Sequence, residues 1–145
     1  MRILPPLSLL FSLALAAPAF GWETPAKGSA DRKAMMDALR PHAEWNLNAP
    51  VEFVVDTLRV EGKLGFAMVT PQRPGGKPID LSQTPMVERD GFDPAYMDGA
   101  AMQALLQKQG KTWVVVHWQM GASDVWWSEP QYCSIWGKLT PEVCG

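Results

Sequence analysis

The spacing of apolar positions predicts that the first regular element of the domain is a helix. Between residues 34 and 45 apolar side chains recur at helical spacing, and Ser29, which precedes them, is a favourable N-cap residue. We therefore predict a helix over residues 30–45, with His42 and Trp45 continuing its apolar face. Pro41 lies inside this segment, and we expect it either to kink the helix or to split it into two.

Apolar and polar residues alternate in the segments that follow, as they do in half-buried strands. Two hairpins are expected, one turning at Glu61-Gly62-Lys63 and one at Gly110-Lys111. Residues 102–107 also fit one or two turns of helix. Between the hairpins, residues 72–99 are rich in Pro, Gly and Asp, and we expect a long loop there. The four predicted strands are residues 51–60, 64–70, 102–108 and 112–119.

A helix followed by two antiparallel hairpins predicts an α+β fold, in which the helix packs on a curved antiparallel sheet of about four strands. This order resembles the cystatin-like and NTF2-like architectures. The resemblance implies a sheet wrapped around a helix, often with a cone-shaped cavity. Residues 31–41 and 51–55, the loop at 71–80 and the segment 113–127 are also similar to small exported bacterial proteins of unassigned role. That similarity implies no catalytic residues.

The first residues have the pattern of a cleavable export signal. A positive charge precedes the apolar run Ile3–Ala17, and small residues then offer cleavage after Ala19 or Gly21. The apolar run is shorter than the roughly 20 residues of a membrane span. We predict a signal peptide over residues 1–21 and a single domain over 22–145. The mature protein is expected in the periplasm or outside the cell, with no membrane anchor.

Charge and cysteine usage narrow the class of partner. The chain carries 13 Lys and Arg against 15 Asp and Glu, a balance that argues against nucleic acid. Cys133 and Cys144 are the only cysteines, and in an oxidising compartment they are expected to form a disulfide that pins the C-terminal tail. The alternative of a redox-active pair needs a C-x-x-C spacing, which is far closer.

No pattern in the chain is typical of nucleophilic or metal-assisted catalysis. His42 and His117 are the only histidines, and neither lies in a zinc-binding spacing. We therefore predict no metal and no cofactor. If the protein is an enzyme, His117 and Asp124 are the pair expected to move a proton, because both lie near the end of one strand. In the alternative, Asp124 caps a turn and both histidines are structural.

The loop Arg73-Pro74-Gly75-Gly76-Lys77 places two cations beside glycines, which raises the possibility of an anion site. A P-loop needs a helix directly after the lysine, whereas here Pro78 follows. A tight turn explains the glycines better. Arg73 and Lys77 stay candidate binding residues.

Tryptophan is the most unusual feature of the composition, with seven in the chain. Trp113 and Trp118 are five residues apart on one predicted strand, which places them on opposite faces. Trp126 and Trp127 are adjacent, so one of them is expected to be exposed. Trp118, Trp126 and Trp127 are therefore candidate binding residues, since exposed tryptophans stack on sugars or anchor protein interfaces. The alternative is a core role under cover from the C-terminal tail.

These patterns favour a small exported binding module without enzymatic activity. Its partner would be a protein or a cell-envelope glycan. The alternative is an NTF2-like domain that binds a ligand or transfers a proton in a cone-shaped cavity.

Overall fold

The structure, a computed structural model, describes residues 21–145. The predicted signal peptide therefore lies outside the described residues, except for Gly21. Within the described range, no helix has the length and apolar character needed to cross a membrane.

The first helix, α1, spans Ala30–Leu47 and is two residues longer than predicted. The Ser29 side chain caps its start by accepting a hydrogen bond from the Arg32 backbone N–H at 3.3 Å. Its last residue is followed by Asn48, whose φ of 65° cannot continue a helix. Pro41 lies within one continuous helix, so of the two expected alternatives, a kink or a split, the split is wrong.

The strands form a single antiparallel sheet in the order β1-β2-β3-β4, as predicted. Each predicted hairpin is present, and the helical alternative for residues 102–107 is wrong. The four strands are β1 (Glu52–Glu61), β2 (Leu64–Gln72), β3 (Met102–Gln109) and β4 (Thr112–Met120).

A β-bulge in β4 changes which faces its tryptophans occupy. Leu105 pairs with His117 and Leu106 pairs with Val115, which leaves Val116 as an extra residue. An extra residue reverses the alternation beyond it. Trp113 and Trp118 consequently both pack on the α1 side of the sheet, and the prediction of opposite faces is wrong.

The sheet is covered on both faces. On one side, α1 contributes an i, i+4 series of fully buried residues to the main core: Met35, Leu39, Ala43 and Leu47. On the other side, the C-terminal segment packs against Phe66 of β2 and Leu105 of β3. This segment contains two short helices, α3 (Pro130–Trp136) and α4 (Pro141–Cys144). The predicted disulfide joins Cys133 to Cys144 and links the two helices.

The long segment between the hairpins is more ordered than the sequence predicts. It contains a short helix, α2 (Pro85–Asp90), and 3-10 turns at residues 81–83 and 94–96. Met86 is buried in the main core and anchors α2. Gly91, in the left-handed conformation with φ 71°, ends it. The prediction of a plain loop over residues 72–99 is therefore wrong in this part.

Candidate functional site

Two of the predicted binding tryptophans are core residues. Trp126 is 3% exposed and Trp127 is 8% exposed, and their rings meet edge to face at 5.8 Å. Both pack in the second core with Phe66, under the C-terminal segment. The expectation that one of the pair is exposed is wrong, because the tail supplies the cover that the sheet alone lacks.

Arg73 and Lys77 form a tight turn and do not build an anion site. The two residues make a β-bridge, with the Arg73 N–H donating to the Lys77 carbonyl at 2.8 Å. The Arg73 guanidinium donates to the carbonyls of Leu47 and Asn48, at the C-terminal end of α1. A cation there complements the negative end of the helix dipole. Arg73 is therefore engaged in fixing the end of α1, while Lys77 is exposed.

His117 and Asp124 do not form a pair. The His117 ring lies on the face covered by the C-terminal segment, 4.9 Å from the Tyr132 ring and 5.8 Å from the Trp136 ring. Asp124 is exposed in the loop after β4. Within residues 21–145, no hydrogen bond or ion pair joins these two side chains. Their positions do not favour the predicted proton transfer.

The two histidines lie on opposite faces of the sheet. His42 extends from α1, and its ring centroid is 5.2 Å from that of Trp118. Because His117 faces the other side, the two histidines do not meet. In the described part of the chain, no group of three or more His, Cys, Asp or Glu side chains is arranged to bind a metal ion.

A cleft of about 420 Å³ opens where the end of α1, helix α2 and the end of β4 meet. We call it the aromatic cleft, because three of its lining residues are Trp45, Phe92 and Trp118. Of the candidates from the sequence, Trp118 alone lines it. Its remaining lining residues are Asn46, Met86, Arg89, Asp90, Gln119 and Met120.

Trp45 is the most exposed tryptophan among the described residues, at 67%. It follows the buried residue Ala43 by two positions, which is about 200° around an α-helix. That rotation turns it away from the core, so its predicted place on the apolar face is wrong. Phe92, just beyond α2, is also large and 52% exposed. Exposed aromatic rings around a concave site are typical of ligand recognition.

Arg89 fixes the ring of Trp45. Its guanidinium carbon lies 4.8 Å from the centroid of the Trp45 ring, in a cation–π arrangement. The guanidinium donates to the Trp45 carbonyl at 3.3 Å and to the Asn46 side-chain oxygen at 3.2 Å. It also makes a bidentate pair with Asp90, at 2.8 and 2.6 Å. These contacts use four of the five guanidinium N–H groups and hold Trp45 from one side.

The polar side chains that line the aromatic cleft differ in how many hydrogen bonds they already make within the protein. The buried side chain of Asn46 accepts from Arg89 and donates to the His42 carbonyl at 2.7 Å, so it serves the scaffold. Gln119 alternates with Trp118 and Met120, which pack on the α1 side, so its side chain lies on the opposite face of the sheet and does not reach into the cleft. The Asp90 carboxylate is therefore the polar side-chain group left to meet a ligand.

Three titratable groups in or beside the aromatic cleft have shifted pKa values. The hydrogen bond to Asp90 raises the pKa of Arg89. Hydrogen bonding and charge from Arg89 lower the pKa of Asp90 below its ordinary value, so that this carboxylate stays ionised. Burial lowers the pKa of His42 and favours its neutral form. Near pH 7 the aromatic cleft therefore holds one ion pair, and the histidine that contacts its Trp118 ring is neutral.

Sequence reasoning missed most of this site. It places Trp45 in the core and treats Arg89, Asp90 and Phe92 as parts of a long loop. One available signal is the rotation of Trp45 away from the i, i+4 series that ends at Leu47. No local pattern indicates that α2 folds back onto the end of α1, since that contact depends on tertiary packing.

Comparisons with models of known protein families, with curated proteins and with solved structures find no match to this chain.

Proposed function

We propose that this protein is a small exported binding module that recognises a component of the cell envelope through the aromatic cleft. The observation that supports this most directly is the exposed Trp45 ring, backed by Arg89 at the edge of a concave, ligand-sized site. Trp45 and Phe92 are both exposed around the same cleft, and grouped exposed aromatic side chains and rigid aromatic anchors are typical of binding sites.

The chemistry of the aromatic cleft favours binding over catalysis. Asp90 is the one carboxylic acid among its lining residues, and Arg89 keeps it ionised. An ionised carboxylate paired with arginine is a weak proton donor and a weak base at pH 7. The group is better suited to accepting hydrogen bonds from a ligand.

An NTF2-like ligand-binding domain is the alternative, and one observation favours it. The aromatic cleft opens on the α1 side of the sheet, where the cavity of such a domain lies. In that case His42, next to Trp118, is a better candidate for proton transfer than His117. Turnover that is lost in His42→Gln and kept in His117→Gln would favour this alternative.

Export is supported by the residue pattern before position 22 and is compatible with the Cys133–Cys144 disulfide. The mass of the protein recovered from its own cells tests this part of the proposal. We expect an N-terminus at Phe20 or Trp22, and an intact Met1 would contradict export by a cleaved signal.

Co-sedimentation of the oxidised protein with envelope fragments from its own cells tests the binding function. We expect the wild type to bind and Trp45→Ala to lose binding. Ile135→Ala is the matched control, because this residue is 52% exposed on α3, over the opposite face of the sheet. Equal sedimentation of all three proteins would overturn the proposal.

A further inference from the structure

The size and shape of the aromatic cleft favour a small ligand unit over a folded partner. Its volume of about 420 Å³ lies within the range of about 300–1,000 Å³ that is usual for small-molecule sites. A stable protein interface instead takes about 800 Å² from each partner, generally over a flatter surface. The cleft accommodates one or two rings of a chain much better than a protein surface.

The geometry of Trp45 suits a ligand that is flat and apolar on its faces. Arg89 covers one side of the indole, and the ring is still 67% exposed. The outer side is therefore a prepositioned platform, held without loss of side-chain freedom on binding. In a gluco-configured pyranose the C–H bonds point above and below the ring, so each face of the sugar stacks on an indole.

The carboxylate near this platform suits hydroxyl groups. Asp90 lines the cleft, and its oxygens keep lone pairs beyond those that accept from Arg89. A pyranose with equatorial hydroxyls presents hydrogen-bond donors around its edge, which this carboxylate can accept. A purely apolar ligand would cover Asp90 without replacing its hydrogen bonds to water.

The charge of the site favours a neutral ligand. Arg89 and Asp90 are the two charged residues that line the cleft. They form a bidentate ion pair, so the negative charge of Asp90 compensates the positive charge of Arg89. No net positive charge is left to attract a uronate or a phosphorylated sugar. A carboxylate on the ligand would instead lie close to Asp90 and be repelled.

On the basis of the proposed binding function, we infer that the aromatic cleft binds a neutral glycan of gluco-configured pyranose units. One ring stacks on the outer side of Trp45, and its hydroxyls donate hydrogen bonds to the Asp90 carboxylate. This names the ligand class of the site, and it gives Arg89 a positioning role behind the platform.

Direct titration of the oxidised protein with neutral and acidic oligosaccharides tests the inference. The probes are tetramers of β-1,4-linked glucose and of β-1,4-linked N-acetylglucosamine, compared with a tetramer of galacturonate, and binding is followed by calorimetry. We expect both neutral tetramers to bind and the acidic tetramer to bind at least about tenfold more weakly, a difference of about 1.4 kcal/mol.

Substitutions at two positions separate the contribution of stacking from that of charge. Trp45→Ala is expected to weaken binding of the neutral tetramers about tenfold or more, whereas Trp45→Phe keeps an aromatic face and recovers part of the affinity. Asp90→Asn leaves the charge of Arg89 uncompensated. The ratio of the variant's affinity for neutral tetramers to its affinity for the acidic tetramer should therefore fall about two- to fivefold. A preference unchanged in Asp90→Asn would contradict the argument from charge.

The envelope assay distinguishes failure of this inference from failure of the proposed function. Neutral tetramers that displace the protein from envelope fragments support both. If Trp45-dependent sedimentation is abolished by protease treatment of the envelope and resists the tetramers, the ligand is a protein, and the glycan inference is overturned while the binding function stands. No binding in either assay overturns both.

Discussion

The guanidinium carbon of Arg89 lies 4.8 Å from the centroid of the Trp45 ring, and the two residues are joined a second time by a hydrogen bond to the Trp45 carbonyl. This pair connects α2, in the segment between the hairpins, to the last turn of α1. It also turns an exposed tryptophan into a fixed surface at the edge of the aromatic cleft.

We expect Arg89→Ala to lower the free energy of unfolding by about 1 kcal/mol, because it removes hydrogen bonds at the end of α1 together with the cation–π contact. Urea denaturation measures this change. The NMR resonance of the Trp45 indole N–H should shift as well, because the ring loses its contact with the Arg89 guanidinium. An unchanged resonance would contradict the role assigned to Arg89.

Arg73 and Lys77 provide a matched pair of cations in one turn. Arg73→Ala removes charged hydrogen bonds to the carbonyls at the end of α1, and we expect it to lower the free energy of unfolding by about 1.5–3 kcal/mol. Lys77→Ala, at an exposed position, should change it by less than about 0.5 kcal/mol. Similar values for the two variants in thermal denaturation would argue against the structural role of Arg73.

The lowered pKa of His42 predicts how stability depends on pH. Because burial keeps this histidine neutral in the fold, the unfolded chain binds its proton more readily once the pH falls below about 6.5. The free energy of unfolding should therefore decrease as the pH drops below this value.

Asp31 adds a second decrease at lower pH. Hydrogen bonds from Lys108 and Trp113 lower its pKa in the fold, so the free energy of unfolding should fall further near and below pH 3.8.

The His42 contribution is measured as the difference between two proteins. His42→Gln removes the titrating group, so its free energy of unfolding should fall less than that of the wild type between about pH 7.5 and 5. Parallel curves for the two proteins would show that His42 is not responsible.

The disulfide is expected to stabilise the tail over the second core. It closes a loop between residues 11 positions apart, and the chain-entropy model assigns such a loop about 3 kcal/mol. Replacing Cys133 and Cys144 together by Ser should lower the free energy of unfolding by that amount. Ligand binding should persist, since the aromatic cleft opens on the α1 side. Equal stability with and without reductant would contradict this.

The order of elements is predictable from the sequence because each has a strong local period. The valines and Trp113 of β4 and the alternation in β2 dictate strands, and the i, i+4 series from Met35 dictates the helix. The bulge at Val116 could not be predicted in this way, because the prediction assumes regular alternation along the whole strand. That one extra residue moves Trp118 to the α1 side, where it lines the aromatic cleft.

The site itself is less predictable, because its residues meet through tertiary packing. The number of tryptophans predicts an aromatic site, yet Trp126 and Trp127 are buried while Trp45 is exposed. The C-terminal segment covers Trp126 and Trp127, whereas Trp45 lies on the side of α1 that is turned away from the core. Local periodicity does not indicate where such cover falls.

The most direct test of the binding function is the affinity of Trp45→Ala for envelope fragments, measured beside Ile135→Ala and the wild type. The substituted side chain is exposed, so the free energy of unfolding should stay within about 1 kcal/mol of wild type. We predict that Trp45→Ala loses about tenfold or more in affinity while Ile135→Ala binds as the wild type does. Wild-type affinity in a correctly folded Trp45→Ala protein would contradict the account.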